Sequence, residues 1–397
     1  MPSLPLDDPD FIRYPFSTYQ QLRNEHPIFF WNEGFCWVFM KHCDVKPLLK
    51  DERLTPDFRQ FEYYDPTHRT VFDELMESGL FGLAPKDHHR IRALATPSLA
   101  PRIIEIATPM ILDVINETFA VFEGKQIIHF AKEVSFDIPR EVVSRLVGVP
   151  TKNNSIFKDM ATAVIDCADF MLTFEQREKA AERIPAGVAL LKELIEERRH
   201  QPAKDDFLGT LIRAEEQNNR LTTQEMITLV IALLSAGQEA TMDVMNAVVK
   251  TFLTHPESIP KALQSDEAFK QAVEEAIRVD YFGKAGAMRF VVEDFEYKGH
   301  QLKKGQMVRL HVPSAIMDET VFADPEKFDI TRDQKDSITF GYGPHFCIGA
   351  GLARLEVRLL AKEFLTKFPQ AKIIGDIKYG QHYMIRRIEE LNIQLWE

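Results

Sequence analysis

Between Leu221 and Glu257 the chain reads LTTQEMITLVIALLSAGQEATMDVMNAVVKTFLTHPE. It is free of proline until Pro256 and apolar on every side of a helical wheel. Thr223 or Thr222 can cap its start. A helix apolar all round has no face for water, so it runs buried through the middle of a protein. Other helices must then pack around it, and such helices follow from the pattern elsewhere. FSTYQQLRNEHP, HHRIRALATPSLAPRIIEIATPMILDVINETFAVFEG (two helices, parted near Pro97 and Pro101), QREKAAERIPAGVALLKELIEERRHQP and DEAFKQAVEEAIRVD all read as helix. A last one starts in GAGLARLEVRLLAKEFLTKFP. Strands are few. FCWVFM alternates, short strands dominate from Arg289 to Leu310, and the tail MIRRIEELNIQLWE alternates like a hairpin. The expectation is a mainly α fold with small β-sheets inserted late, neither a doubly wound parallel sheet nor a barrel.

Composition limits what such a fold does. At 397 residues and 45% hydrophobic, the chain can build one large core, and no linker or repeat divides it. A net charge of −12 argues against sequence-independent binding to nucleic acid or to an anionic membrane. The N-terminal stretch MPSLPLDDPDFIRYPF is polar and broken by proline, unlike a signal peptide or anchor. The four cysteines, Cys36, Cys43, Cys167 and Cys347, share no CxxC spacing, so a reduced, cytoplasmic protein is expected.

One of those cysteines stands apart. Cys347 lies in FGYGPHFCIGAGLARLE, between glycines and just before a helix. Free N–H groups and the positive end of a helix dipole lower a thiol pKa and favour thiolate. Gly341, Gly343 and Gly349 let backbone turn tightly and approach a flat partner. Phe340 and Phe346 give apolar cover, and His345 a donor or cation. The pattern suits a soft metal centre with one thiolate ligand in a large planar cofactor; the plainer alternative is a buried cysteine in a tight turn.

FGYGPHFCIG resembles the haem-binding signature of the cytochrome P450 family, matching it at Phe340, Gly341, Gly343, His345, Cys347 and Gly349. The resemblance extends over essentially the whole chain. It implies a single-domain P450 fold over 1–397, haem b as cofactor and Cys347 as the axial ligand of the iron; thiolate ligation in this family is the standard case of electron push toward O–O cleavage. Glu275 and Arg278 in EAIR match the family's ExxR pair, and Arg332 in PEKFDITR is the arginine that joins it as a structural triad. DHHRIR resembles the helix that reaches the haem propionates, which gives Arg92 and His88 that role, although His89 could substitute. Arg289 and His345 are the other propionate donors.

AGQEAT, Ala236–Thr241, corresponds to the family segment that passes over the haem. Ala236 and Gly237 leave a groove for dioxygen. An acid followed by an alcohol normally relays protons there. Glu239 keeps the acid, but Ala240 occupies the alcohol position and Thr241 stands one residue later, about 100° around a helix. Three readings stay open: a substrate hydroxyl or ordered water fills the gap at Ala240, a helix distortion brings Thr241 inward, or ordinary monooxygenation is absent.

The resemblance places substrate walls at Phe58–Leu83, Val164–Thr173, Phe282–Met288 and His382–Ile385. Lys284, Ala285, Met384 and Ile385 are the candidate pocket residues, with Lys284 pointing either inward or to solvent. Arg354, Arg358 and Lys362, four apart on one helix face, form with Arg90 either a basic patch for an acidic electron donor or a solvated face. GHQLKKGQMVRL is near in style to the camphor-hydroxylase branch, which implies a [2Fe–2S] ferredoxin and an NAD(P)H-dependent ferredoxin reductase. The activity implied is insertion of one atom of O2 into a small to medium, partly apolar, oxygen-bearing substrate, as hydroxylation or oxidative O-demethylation. The alternatives are a peroxide-driven peroxygenase, against which Gln238-Glu239-Ala240 replaces the usual Arg-Pro pair, and a non-catalytic haem-binding or ligand-sensing protein.

Overall fold

The apolar stretch forms one uninterrupted α-helix, Thr223–Thr254. Thr222 is its cap. The Thr222 hydroxyl accepts the Glu225 N–H at 3.2 Å, and the Glu225 carboxylate accepts the Thr222 N–H at 2.8 Å, a reciprocal arrangement that satisfies two otherwise orphaned donors. At 32 residues it is about 48 Å long. Among the described residues it is the one helix long and apolar enough to cross a membrane, but most of it is buried inside the protein. Helices Ile138–Val147, Asn154–Cys167, Asp266–Val279 and Ala350–Lys367 pack against it.

This computed structural model describes all residues except 1, 68, 81, 84, 150–153, 169–171, 203–205, 217–220, 383 and 397, and omits the side chains of 154 and 216. Most of the expected helices are present: Phe16–Glu25, Pro85–Ala95, Pro101–Ala120, Asp266–Val279 and Ala350–Lys367. The run QREKAAERIP…RRHQP divides into Phe174–Ala181 and Ile184–Arg199, with Pro185 in the first turn of the second helix, where its missing N–H costs nothing.

The larger sheet has five strands in the order Ile28–Trp31, Cys36–Phe39, Met307–Leu310, Ala287–Val291, Leu54–Thr55. Its one parallel pairing joins Cys36–Phe39 to Met307–Leu310, so the N-terminal stretch and residues 285–338 share a core that is separate from the helical one, which takes in the C-terminal strand. The tail is not a hairpin by itself. Ile388–Gln394 is a single strand between Lys372–Tyr379 and Ile127–His129. Its alternation reflects two flanking partners from far along the chain, which local periodicity cannot reveal.

Candidate active site

The loop before Ala350–Lys367 turns through two left-handed glycines, Gly341 at φ +79° and Gly343 at φ +76°, a conformation that strains any side chain. The Cys347 N–H closes the loop on the Phe340 carbonyl at 2.9 Å, and the Ala350 N–H donates to the Cys347 carbonyl at 3.3 Å. The Arg354 guanidinium lies 4.1 Å above the Phe340 ring. Cys347 has accessible surface, yet desolvation dominates its electrostatics. Burial pushes the thiol pKa up, while the Gly349 and Ala350 N–H groups, Arg354 and Arg92 pull it down. The helix-terminus effect expected from the sequence is therefore present but outweighed. A coordinated metal deprotonates such a thiol outright.

The central helix opens in one place. Ala236 is exposed and Gly237 and Ala240 are half-buried, although Ser235, Gln238, Glu239 and Thr241 around them are buried. The helix stays regular here, so Thr241 remains about 100° from Ala240, and no distortion turns it inward.

Among the described residues, four groups able to carry a positive charge cluster with no carboxylate beside them. Arg289 is buried, and the one acceptor it reaches among the described residues is the Met288 carbonyl at 2.7 Å. Burial alone pushes its pKa down to about 10. The His88 and His345 rings lie 4.1 Å apart. Burial, with Arg289, His88 and Arg92 beside it, pushes His345 down to about 3. Arg92 donates to the Phe346 carbonyl at 2.5 Å, and burial lowers its pKa as well. Of the two adjacent histidines, His88 is buried in this cluster and His89 is exposed. A buried guanidinium with no acid beside it among the described residues calls for an anion, to which Arg92 and the two neutral imidazoles can also donate. A flat iron porphyrin with two carboxylates fits this donor set: a soft thiol for the iron, room beside Gly349, where a Cβ would meet nothing within 4 Å, and a cation cluster for the carboxylates.

A sign-split prediction follows for Arg289→Leu. Removing an unpaired buried charge leaves the cofactor-free protein equally or more stable on thermal unfolding. The cofactor, losing a charge-assisted bond of about 1.5–3 kcal/mol, transfers to an acceptor apoprotein on the order of 10-fold or more faster.

Glu275, Arg278 and Arg332 come together. Glu275 accepts from Arg278 Nε and Nη2, both at 2.8 Å, and from Arg332 Nε at 2.8 Å. Gln334 Nε2 adds a fourth side-chain bond at 2.7 Å, a partner not anticipated from the sequence. Arg278 also donates to the Ile316 and Pro325 carbonyls at 3.0 and 2.7 Å, which ties its helix to the segment leading to the cysteine loop.

Glu239 is not free. Arg140 donates to its Oε1 at 2.6 Å, and Arg387 Nη2 sits 2.7 Å from its Oε2. The same Arg387 nitrogen reaches Asp243 Oδ2 at 3.4 Å. Sequence reasoning missed Arg140, Arg387 and Asp243. The only local signal was Asp243, one helical turn beyond Glu239.

The substrate-wall residues divide. Met384 and Ile385 are half-buried, and Ile385 bridges to Gly283. Ala285 is fully buried in the N-terminal core, with its carbonyl accepting from Arg309. Lys284 corrects both of its readings. It is 1% exposed, and its ammonium reaches the Leu6 carbonyl at 2.5 Å, so it points to the N-terminal segment rather than into a pocket or to solvent. Parts of the other expected walls, at 68, 81, 169–171 and 383, lie outside the described residues. The expected basic patch is largely neutralised: Arg90 pairs with Glu225 at 2.5 Å, Arg354 with Glu274 at 2.7 Å and Lys362 with Asp266 at 2.6 Å.

Comparison with known proteins agrees with this geometry. Residues 15–373 match the family model described as Cytochrome P450. The epothilone C/D epoxidase of Sorangium cellulosum is 32% identical, over 98% of this chain and 94% of that protein. The polyketide biosynthesis cytochrome P450 PksS of Bacillus subtilis is 29% identical, over 97% of each. The solved structure of epothilone B-bound cytochrome P450epoK superimposes with a TM-score of 0.93 at 31% identity, covering 99% of both chains.

Proposed function

The chain belongs to the cytochrome P450 family, and from that premise we propose that it inserts one atom of O2 into a partly apolar, oxygen-bearing substrate of small to medium size, by hydroxylation or oxidative O-demethylation. As a P450 monooxygenase it uses haem with a cysteine thiolate as axial ligand. The observation that carries the site assignment is the accessible Cys347 thiol in its glycine loop together with the cluster of His88, Arg92, Arg289 and His345, acid-free among the described residues. The haem, when bound, supplies O2 activation. The chain's own contribution is to hold the thiol, pair the propionates, keep a small-residue groove at Ala236 and Gly237, and manage protons through Glu239.

Ala240 offers no hydroxyl at the position nearest that groove. In our reading the substrate's own hydroxyl, or a water it orders, completes the donor set there. An oxygen-bearing substrate is supported by the relatives named for epothilones and polyketide biosynthesis. On this reading Ala240→Thr does not improve the yield of product per NAD(P)H consumed, because the new hydroxyl competes with the substrate's. A clear rise in coupling would contradict it.

Electrons come from outside the P450 domain, and a [2Fe–2S] ferredoxin with an NAD(P)H-dependent reductase is the donor pair proposed, acting in the cytoplasm. With Arg90, Arg354 and Lys362 paired to acids, their attraction for an acidic donor is weaker than the bare sequence suggests. The test of the substrate class is a titration of the ferric protein with terpenoids, methoxy-aromatics, methylated sugars and fatty acids, read by the low-to-high-spin Soret shift. Shifts confined to oxygen-bearing ligands support the proposal. Well-coupled turnover of plain hydrocarbons overturns it.

A further inference from the structure

Along one side of the buried central helix runs a polar stripe: Glu239, Asp243, Asn246 and Lys250, spaced four, three and four apart. Such spacing keeps all four within one narrow sector of the wheel. Its inner end is Glu239, next to Ala240 on the open patch. Its outer end is Lys250, which lines a solvent-open cleft of about 600 Å³ with Arg13, Asp280, Tyr379 and Arg386. Between them, two carboxylates share one guanidinium nitrogen: Arg387 Nη2 lies 2.7 Å from Glu239 and 3.4 Å from Asp243.

The middle of the stripe is polar but underbonded. Asp243 Oδ1, Asn246 Nδ2 and Arg387 Nε are buried and find no hydrogen-bond partner among the described residues. Asn246 Oδ1 is held by the Ser135 hydroxyl at 2.6 Å, which fixes its amide. Arg387 keeps 23% of its side chain exposed, while Asp243 keeps 1%. A full ladder of salt bridges made only to anchor the C-terminal strand would not leave these atoms open.

We propose that this stripe is the proton entry route of the site, running from the cleft beside Lys250 to Glu239, with Asp243 as the residue that loads the proton and Arg387 as the arm that moves between the two carboxylates. The inference rests on the monooxygenase reading above. Asp243 takes a proton from the solvent side and becomes neutral, which releases Arg387 fully to Glu239. The proton then passes to the Glu239 carboxylate as Arg387 swings back to Asp243, which returns to its anionic, paired form, ready to reload. Charge is conserved, and no electron moves within the stripe. Asp243 thus acts through Glu239, as a positioning residue.

The electrostatics agree. Burial, with Glu239 adding and Arg387 opposing, raises Asp243 to about 7. The charged groups around it are Arg387 from the C-terminal strand region, Arg140 from Ile138–Val147 acting through Glu239, and Lys250 with Asp280 farther along. Glu356, the buried acid on Ala350–Lys367, bonds none of them among the described residues. Because the folded state holds the Asp243 proton to higher pH than the unfolded chain, this group costs stability as pH rises from the ordinary carboxylate range toward 7.

The test uses the haem-loaded protein and Asp243→Asn. Infrared difference spectra, which need no turnover, are expected to show a buried protonated-carboxyl stretch that titrates near neutral pH in the parent and is lost in D243N. In steady state D243N is expected to lose the neutral-pH inflection in product formed per electron consumed, with more peroxide released and ligand affinity unchanged. If D243N does not fold, aspartate isotope labelling of the parent assigns the band instead. No titrating band in the parent, or the band lost with an unaltered pH profile, overturns the route and leaves the stripe an anchor. Absence of all turnover with the band intact is the separate failure of the monooxygenase reading.

Discussion

Glu275→Ala is expected to yield little soluble, haem-loaded protein, and what is recovered should unfold far below the parent. Glu275 is 0% exposed and receives five donors: two from Arg278, one each from Arg332 and Gln334, and the Asp329 N–H at 3.2 Å. Without the carboxylate, the Arg278 guanidinium, itself 0% exposed, keeps its charge in the core with only carbonyl and thioether acceptors. Removing one partner of a buried pair costs about 3–5 kcal/mol, and here a second arginine loses its acid as well. Set against a total stability of about 5–15 kcal/mol for ordinary proteins, the loss is a large fraction of the margin. The neighbouring Glu274→Ala is the control. Glu274 bonds Arg354, which is 36% exposed, so its loss should cost no more than about 1 kcal/mol. Thermal unfolding of the pair checks this, and equal losses would contradict it.

Cys347→Ser is expected to abolish turnover while leaving the fold near its parental stability. The substitution changes one atom in a loop whose shape depends on Gly341, Gly343 and the Cys347 N–H bond to Phe340, none of which involves the sulfur. As the proposed ligand, the Cys347 thiolate would give its charge to the metal; a serine hydroxyl, with no soft donor orbital and a far higher pKa, would not replace it. The cation cluster is untouched, so cofactor binding should weaken less than activity. The checks are product formation and the reduced-plus-CO spectrum. A serine variant that retains parental turnover would remove Cys347 from the account.

How much of this was legible in the sequence depends on the range of each interaction. The central helix, its Thr222 cap and the ExxR pair are local patterns, three or four residues apart, and periodicity exposes them. The cysteine loop was legible because its glycines are needed where φ is positive. What escaped was set by pairing across the chain. Arg387 meets Glu239 and Asp243 from 144 or more residues away, and Lys284 reaches back 278 residues to Leu6. The expected cationic face on the last helix lost much of its character to acids on Asp266–Val279 for the same reason. The Cys347 thiol shows a different limit: the sequence reveals the helix end that favours thiolate, but not the burial that opposes it.

Monooxygenation by this protein is tested most directly by isotope. The ligand giving the largest spin-state shift would be turned over under 18O2 with ferredoxin, reductase and NAD(P)H, and the product weighed by mass spectrometry. One labelled oxygen atom in the product is the expected result (for O-demethylation, it leaves in the one-carbon fragment). Unlabelled oxidised product, or turnover that proceeds with added peroxide and fails with the electron donors, would contradict a monooxygenase built on Cys347.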